Sequence, residues 1–375
     1  MRIAVNTRLL LKGKLEGMGW FTHEVLNRMV AAHPQDEFFF LFDRPYDPGF
    51  VFGKNVTPVV VSPPARHPFL FYLWFEWRLP AVLEKLKADV FLSPDNFLSL
   101  RSKLPTVLVT HDLAPFHFPK QITPIQRWYY HRFIPKFNRR AEEVVTVSNF
   151  TKQDIVKQFG IAEEKITVAC NGCRDIFRPL EDSEKKAVRE TFADGKPYFL
   201  YVGAVHPRKN VHGLIRAFDI FKRNTGADAG LLIGGRFAWK AGEVQQAYEA
   251  SPFKKDIRFL GYLGDDKLPA VTGAAFAATY VSFFEGFGIP LLEAMRCGIP
   301  VITSNISSMP EVAGNAGLLV DPYRPEDIAR GMQQLWEDPH LYREKATAGI
   351  EQEKKFTWEG AAEVVYEALR RAAGN

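Results

Sequence analysis

Apolar residues along the chain gather in short continuous runs, each followed by a longer stretch in which they recur every three to four positions. RIAVNTRLL opens as a buried strand, GMGWFTHEVLNRMVAAH follows as an amphipathic helix, and EFFFLFD reads as the next strand. ADVFLSP, TVLVTHD and EVVTVS are further strand candidates separated by helical segments, and ITVACNG closes the first half. The stretch 174–192 reads as a linker plus an exposed helix, after which the pattern restarts. PYFLYVGAV, AGLLIGG, DIRFLGYL, FAATYVS, PVITS and AGLLVD are its strands; NVHGLIRAFDIFKRN, DKLPAVTGAA, PLLEAMRCG and EDIARGMQQLWED are its helices.

Strands without a polar face belong in parallel sheets covered on both sides, so the expectation is an α/β chain of two doubly wound, Rossmann-like units in series. A length of 375 residues suits two domains of about 150–200 residues each. The expected boundaries are 1–175 and 190–355, with an amphipathic helix in 356–375 packing back on the first domain. In such sheets ligands sit outside the carboxyl ends of the strands, so two units facing each other would share one cleft.

Composition narrows the classes. Hydrophobic content of 46% and charged content of 24% are those of a globular protein. The net charge of +5 is uneven: residues 1–180 carry 24 Lys and Arg against 17 Asp and Glu, the remainder 24 against 26. A mildly basic first half suits an anionic acceptor or a membrane surface, and is too scattered for nucleic acid. Cys170 and Cys173 form a lone CxxC without the further ligands a zinc site needs, which leaves ordinary thiols in a reducing cytosol. Arg8 interrupts the apolar run at the start, so no signal peptide is expected, and no run approaches the ~20 apolar residues of a bilayer span. The expected location is cytoplasmic, with peripheral contact at the inner membrane face. The nearest approach to a span, HPFLFYLWFEWRLP at 67–80, contains Glu76 and Arg78 and reads as a core or surface helix, with membrane or acceptor contact as the rival.

Candidate chemistry centres on SFFEGFGIPLLEAMRCGIPVITS, 282–304. Pro290 suits a first helical turn, which puts the helix start near Gly288–Ile289. Its N–H groups and dipole make an anion site, and Gly286 and Gly288 let backbone approach a ligand. Glu285 before the helix and Glu293 a turn inside it can each accept hydrogen bonds from vicinal hydroxyls. Hydroxyls, phosphate and hydroxyls again describe a nucleotide sugar. In YVGAVHPRKN, Arg208 and Lys209 stand between a strand and a helix that Asn210 is placed to cap, where two cations can neutralise a diphosphate. VTHDLAPFHFP puts His111 and Asp112 at a strand's carboxyl end, and Gly17 and Gly19 precede a helix as a glycine loop near phosphate or acceptor would. A dinucleotide fold is disfavoured, because Thr22 fills the third glycine position and Leu11–Glu16 lengthen the turn. In FLGYLGDDKLP, Tyr262 or the backbone of Leu263 can pack on a base; Asp265–Asp266 is not a D-x-D metal motif.

EGFGIPLLEAM resembles the paired-glutamate motif of the retaining glycosyltransferases of family four, and PVITSNISSMPEVAGNAGLLVDP resembles the segment that follows it. The likeness is strongest over 198–325 and implies the GT-B architecture. It implies that Glu285 binds donor-sugar hydroxyls, that Glu293 holds the ribose and that Lys209 binds phosphate. Where many members have an arginine after the strand glycine, Gly203, this chain has Ala204, so Arg208 is expected to substitute in part. The HD segment implies His111 near the reaction centre, and Ser148 resembles a cleft position. The implied catalytic set is His111, Glu285, Arg208 and Lys209; donor contacts extend over Gly17, Gly19, Gly203, Tyr262, Leu263, Glu285, Gly286, Phe287, Gly288, Ile289 and Glu293, with no metal and no cofactor. The implied activity is hexosyl transfer with retention to a glycan or lipid-linked hydroxyl. GDP-mannose is favoured as donor, with UDP-glucose and UDP-N-acetylglucosamine open. The rivals are a glycoside hydrolase, a GT-B sugar-nucleotide epimerase and a non-catalytic nucleotide-sugar binder. Oligomeric state is not legible.

Overall fold

The computed structural model describes residues 1–65, 67–236 and 242–374. The chain divides into two compact units, Met1–Asn171 with Thr357–Asn375, and Gly172–Phe356.

The first unit holds a sheet of β1 (Arg2–Asn6), β2 (Glu37–Phe42), β3 (Val56–Val60), β4 (Val90–Ser93), β5 (Thr106–Thr110), β6 (Glu143–Thr146) and β7 (Ile166–Val168), in the order β3-β2-β1-β4-β5-β6-β7. All pairings are parallel, so each connection crosses over through a covering segment. The strands have no polar face because helices cover both sides: Ile3, Ala4, Val5, Phe38, Phe40, Val107, Leu108 and Val109 are buried. β3 is a strand the apolar pattern did not mark. Its TPVV is half exposed at the sheet edge, where Pro58 is tolerated.

The helix Trp358–Ala373 completes this unit, started by Thr357, whose hydroxyl accepts from Gly360 N at 3.1 Å. It packs on the helix Gly17–Ala32, where Tyr366 stacks on His33 at 3.4 Å and donates to Asp36 at 2.7 Å. The 67–80 stretch is two-faced: Phe71, Trp74, Phe75 and Leu79 are buried, while Phe69, Tyr72 and Trp77 are exposed. Its helix widens into a π-turn over Trp74–Arg78. Pro80 has no N–H to return to the Glu76 carbonyl, and widening relieves that conflict. Glu76 points inward, accepting from Leu100 N at 2.9 Å and Arg101 N at 3.0 Å.

The second unit holds β8 (Tyr198–Val202), β9 (Gly230–Gly234), β10 (Ile257–Gly261), β11 (Ala277–Tyr280), β12 (Val301–Ser304) and β13 (Gly317–Val320), in the order β10-β9-β8-β11-β12-β13, again all parallel. β8 and β11 are neighbours whose chains leave in opposite directions. This is the switch point at which doubly wound sheets bind ligands. The loops after these two strands, 203–210 and 281–288, carry Arg208, Lys209 and Glu285.

Candidate functional site

The two loops are fixed by their own sequence. Gly203 and Gly235 approach so closely that a Cβ on Gly235 would stand 1.8 Å from the Gly203 carbonyl oxygen, and Gly235 has φ 145°. The short 3-10 turn Pro207–Lys209 follows, with His206 Nδ1 accepting from Arg208 N at 3.3 Å. Asn210 does not cap the next helix, contrary to the expectation above. It has φ 57°, and its amide donates to the carbonyls of Val281 (3.0 Å) and Pro322 (2.7 Å). That tie, with Phe283 N donating to Arg208 O at 2.9 Å, holds the cationic turn against the loop bearing Glu285.

The helix Ile289–Arg296 starts at Gly288, with Pro290 in its first turn and no side-chain cap. Gly288 has φ 107°, and a Cβ there would reach within 2.6 Å of Met309 Cε. Ser308 donates to the carbonyls of Glu285 and Phe287 at 3.0 Å each, which fixes the loop ahead of the helix. Gly286 and Phe287 are buried and Ile289 is half-buried at the helix mouth.

Glu285 is only 6% exposed. Lys209 Nζ lies 2.5 Å from its Oε1, and Arg208 Nη1 lies 3.3 Å from its Oε2 and also donates to the Phe284 carbonyl. Lys209 donates as well to Tyr280 Oη at 2.7 Å. Burial pushes the Glu285 carboxyl up, but the Lys209 and Arg208 charges outweigh it and hold it down at about 2. The carboxylate is therefore ionised throughout the physiological range. Burial, with the charge of Glu285, pushes the phenols of Tyr201 and Tyr280 well up, so both stay protonated.

Glu293 belongs to a second cluster. It is equally buried, and Arg174 Nη2 lies 3.3 Å from its Oε1 while Arg174 Nη1 lies 2.7 Å from Asp265. Here burial dominates and raises the carboxyl, with Arg174 opposing it. Arg174 fell in the stretch read as linker. The structure corrects this: its side chain is buried between two acids, and the exposed helix begins at Asp182. The only sequence signal was a lone cation two residues after ITVACNG.

The base-pocket candidates separate. Tyr262 is exposed beyond β10, with the Arg236 guanidinium 4.5 Å over its ring. The Leu263 side chain is buried against Gly234, so only its backbone is left to meet a ligand.

Gly17, Gly19 and His111 lie in the first unit. Gly17 and Gly19 fall within the first turn of the helix Gly17–Ala32, not before it, because the turns of 7–16 use up the loop. His111 follows β5, buried, its ring edge-on to Phe21 at 5.1 Å. Its Nε2 lies 2.9 Å from the Pro94 carbonyl, which can only accept, so Nε2 carries the proton of the neutral ring and Nδ1 keeps its lone pair. Burial lowers its pKa and favours that neutral form. Ser148 is buried and caps the helix Asn149–Phe159 by accepting from Thr151 N at 3.1 Å. Asp43, which a dinucleotide fold would place on a ribose, is buried in a two-point pair with Arg44, 2.6 Å at each contact. Cys170, Cys173 and Cys297 are unbridged, and among the described residues no group of His, Cys, Asp or Glu is arranged to hold a metal ion.

Residues 182–356 match the family model "Glycosyl transferases group 1", and residues 15–175 match "Glycosyltransferase Family 4". O-antigen chain mannosyltransferase B of Escherichia coli is 30% identical over 361 residues, covering 93% of this chain and 94% of that protein. O-antigen chain mannosyltransferase RfbU of Salmonella typhimurium is 32% identical over 273 residues, 71% of each chain. Among solved structures, Anabaena HepE in complex with UDP and glucose superposes with a TM-score of 0.78 at 17% identity, over 99% of this chain and 100% of that one.

Proposed function

The chain belongs to the family four, group 1 glycosyltransferases, and from that premise we propose that it transfers mannose from GDP-mannose, with retention, to a hydroxyl of a surface-polysaccharide intermediate. The enzyme class and the GT-B fold are those of its relatives. The donor is suggested by two relatives named as O-antigen mannosyltransferases. The observation that carries the site is the ionised, buried Glu285 held between Lys209 and Arg208 ahead of an uncapped helix start.

In this reading the donor's diphosphate lies across the start of the helix Ile289–Arg296. Lys209 and Arg208 then turn part of their charge from Glu285 to the phosphates and stabilise the leaving group. Glu285, already ionised, accepts from the sugar hydroxyls. Glu293, steadied by Arg174, accepts from the ribose. The acceptor oxygen attacks C1 on the face the phosphate leaves. The C1–O bond to phosphate breaks, the C1–O bond to the acceptor forms, and the acceptor proton passes to the departing phosphate oxygen. Nδ1 of His111, after β5 of the first unit, is a neutral hydrogen-bond acceptor.

The test is a thermal-shift and turnover panel. GDP should raise the melting point more than UDP, and GDP-mannose should release GDP only when an acceptor extract is present. Stabilisation by UDP alone would overturn the donor assignment, and an inverted linkage by NMR would overturn retention.

A further inference from the structure

The first unit carries an exposed aromatic and basic face that the donor site does not use. From Leu113 to Ala141 the chain contains six Lys and Arg and no Asp or Glu. The helix Pro124–Arg140 lies within it, held on the core by buried Tyr129, Ile134, Phe137 and Asn138. Ile125, Trp128, Arg132, Lys136 and Arg139 recur at three- and four-residue spacing, which sets them along one side of the helix. Trp128 is 63% exposed. The neighbouring helix Pro68–Leu73 adds Phe69, 68% exposed, and Tyr72 one turn on. The two sets join: Tyr72 lies 6.3 Å from Phe133, and Phe133 lies 6.0 Å from Trp128. Trp77, also exposed, is covered by the Arg101 guanidinium 3.8 Å over its ring.

Large aromatics open to water beside a long run of positive charge mark a contact surface. The charge decides the occupant. A second copy of this chain would bring the same positive face to a self-complementary contact, and like charges would repel. An anionic bilayer satisfies both halves: Trp, Tyr and Phe settle at headgroup level while Arg and Lys meet lipid phosphates. No helix among the described residues is long and apolar enough to cross a membrane, so such contact is at the surface.

We propose that this face docks the protein on an anionic lipid surface through Phe69, Tyr72 and Trp128 and the cations Arg132 and Lys136 of the Pro124–Arg140 helix. The proposal does not depend on the donor reading. It is tested by co-sedimentation of the full chain with phosphatidylcholine vesicles, with and without about 30% phosphatidylglycerol, at about 0.1 M and about 0.5 M salt. Binding to the anionic vesicles should exceed binding to the neutral ones by at least about tenfold and fall at the higher salt. Two independent pairs, Arg132→Glu with Lys136→Glu and Phe69→Ser with Trp128→Ser, should each lower it by about tenfold or more without lowering the melting point. Equal binding to neutral vesicles, no binding at all, or full retention in both pairs overturns the proposal. So does a wild-type dimer that ignores vesicles and dissolves in the Phe69→Ser, Trp128→Ser pair, which makes the face a contact between copies. The wild-type comparison needs no variant, so a poorly folded variant does not shield the proposal.

Discussion

Replacing Lys209 by Met separates the structural from the functional role of the cationic turn. Glu285 is buried and has its closest cation in Lys209 at 2.5 Å, with Arg208 at 3.3 Å. Removing one partner of a buried pair costs about 3–5 kcal/mol because the other charge is stranded. Arg208 remains and screens part of that loss, so Lys209→Met should cost about 2–3 kcal/mol of stability at neutral pH. Against a typical total of about 5–15 kcal/mol this is readily measured. Adding Glu285→Gln removes the stranded charge, and the double variant should return to within about 1 kcal/mol of wild type. Donor binding should not return with it. A charge-assisted hydrogen bond to phosphate is worth about 1.5–3 kcal/mol, so GDP should bind the single and the double variant about ten- to hundredfold more weakly. Urea denaturation reads the first quantity and calorimetry with GDP the second. Wild-type GDP affinity in the stable double variant would show that Lys209 serves only to neutralise Glu285.

The two glutamates should give opposite pH signatures. The Glu285 carboxyl falls from its ordinary 4.5 to about 2 in the folded chain, so its contribution is complete above pH 4.5 and is lost as pH falls toward 2. Glu285→Gln should flatten that acid limb of a stability-against-pH curve. The Glu293 carboxyl is raised, so stability should decline as pH rises from 4.5 through its folded value, a slope Glu293→Gln should remove. Glu293→Gln should also weaken GDP about tenfold while leaving 2′,3′-dideoxy-GDP unaffected, since only the former offers the hydroxyls; equal losses would take Glu293 off the ribose. His111→Ala should lower kcat by about a hundredfold with little change in GDP affinity, as expected of a group acting on the reaction and not on the nucleotide.

The doubly wound units were legible because buried parallel strands leave unbroken apolar runs such as RIAVN and YFLYV, and crossover helices leave three-to-four spacing between them. The positions of Glu285 ahead of the helix and Glu293 within it were legible because glycines and Pro290 fix where the helix begins. What escaped depends on contacts distant in sequence. Arg174 gains its meaning from Asp265 and Glu293, 91 and 119 residues away, which no local pattern encodes. Asn210 has a good capping side chain, yet two carbonyls from other loops capture it. Gly17 looked like loop because glycine disfavours helix, but the chain turns at 7–16 before reaching it. β3 lies at a sheet edge, where half-exposed residues blur the apolar signal.

The central claim is that a nucleoside diphosphate lies across the start of the helix Ile289–Arg296, gripped by Lys209 and Arg208. A crystal structure of the enzyme with GDP-mannose tests it most directly. The account predicts phosphate oxygens within hydrogen-bond reach of the Lys209 ammonium and of the backbone at Gly288–Ile289, with the ribose on Glu293 and the sugar on Glu285. Phosphates bound elsewhere, with Lys209 still closed on Glu285, would contradict it.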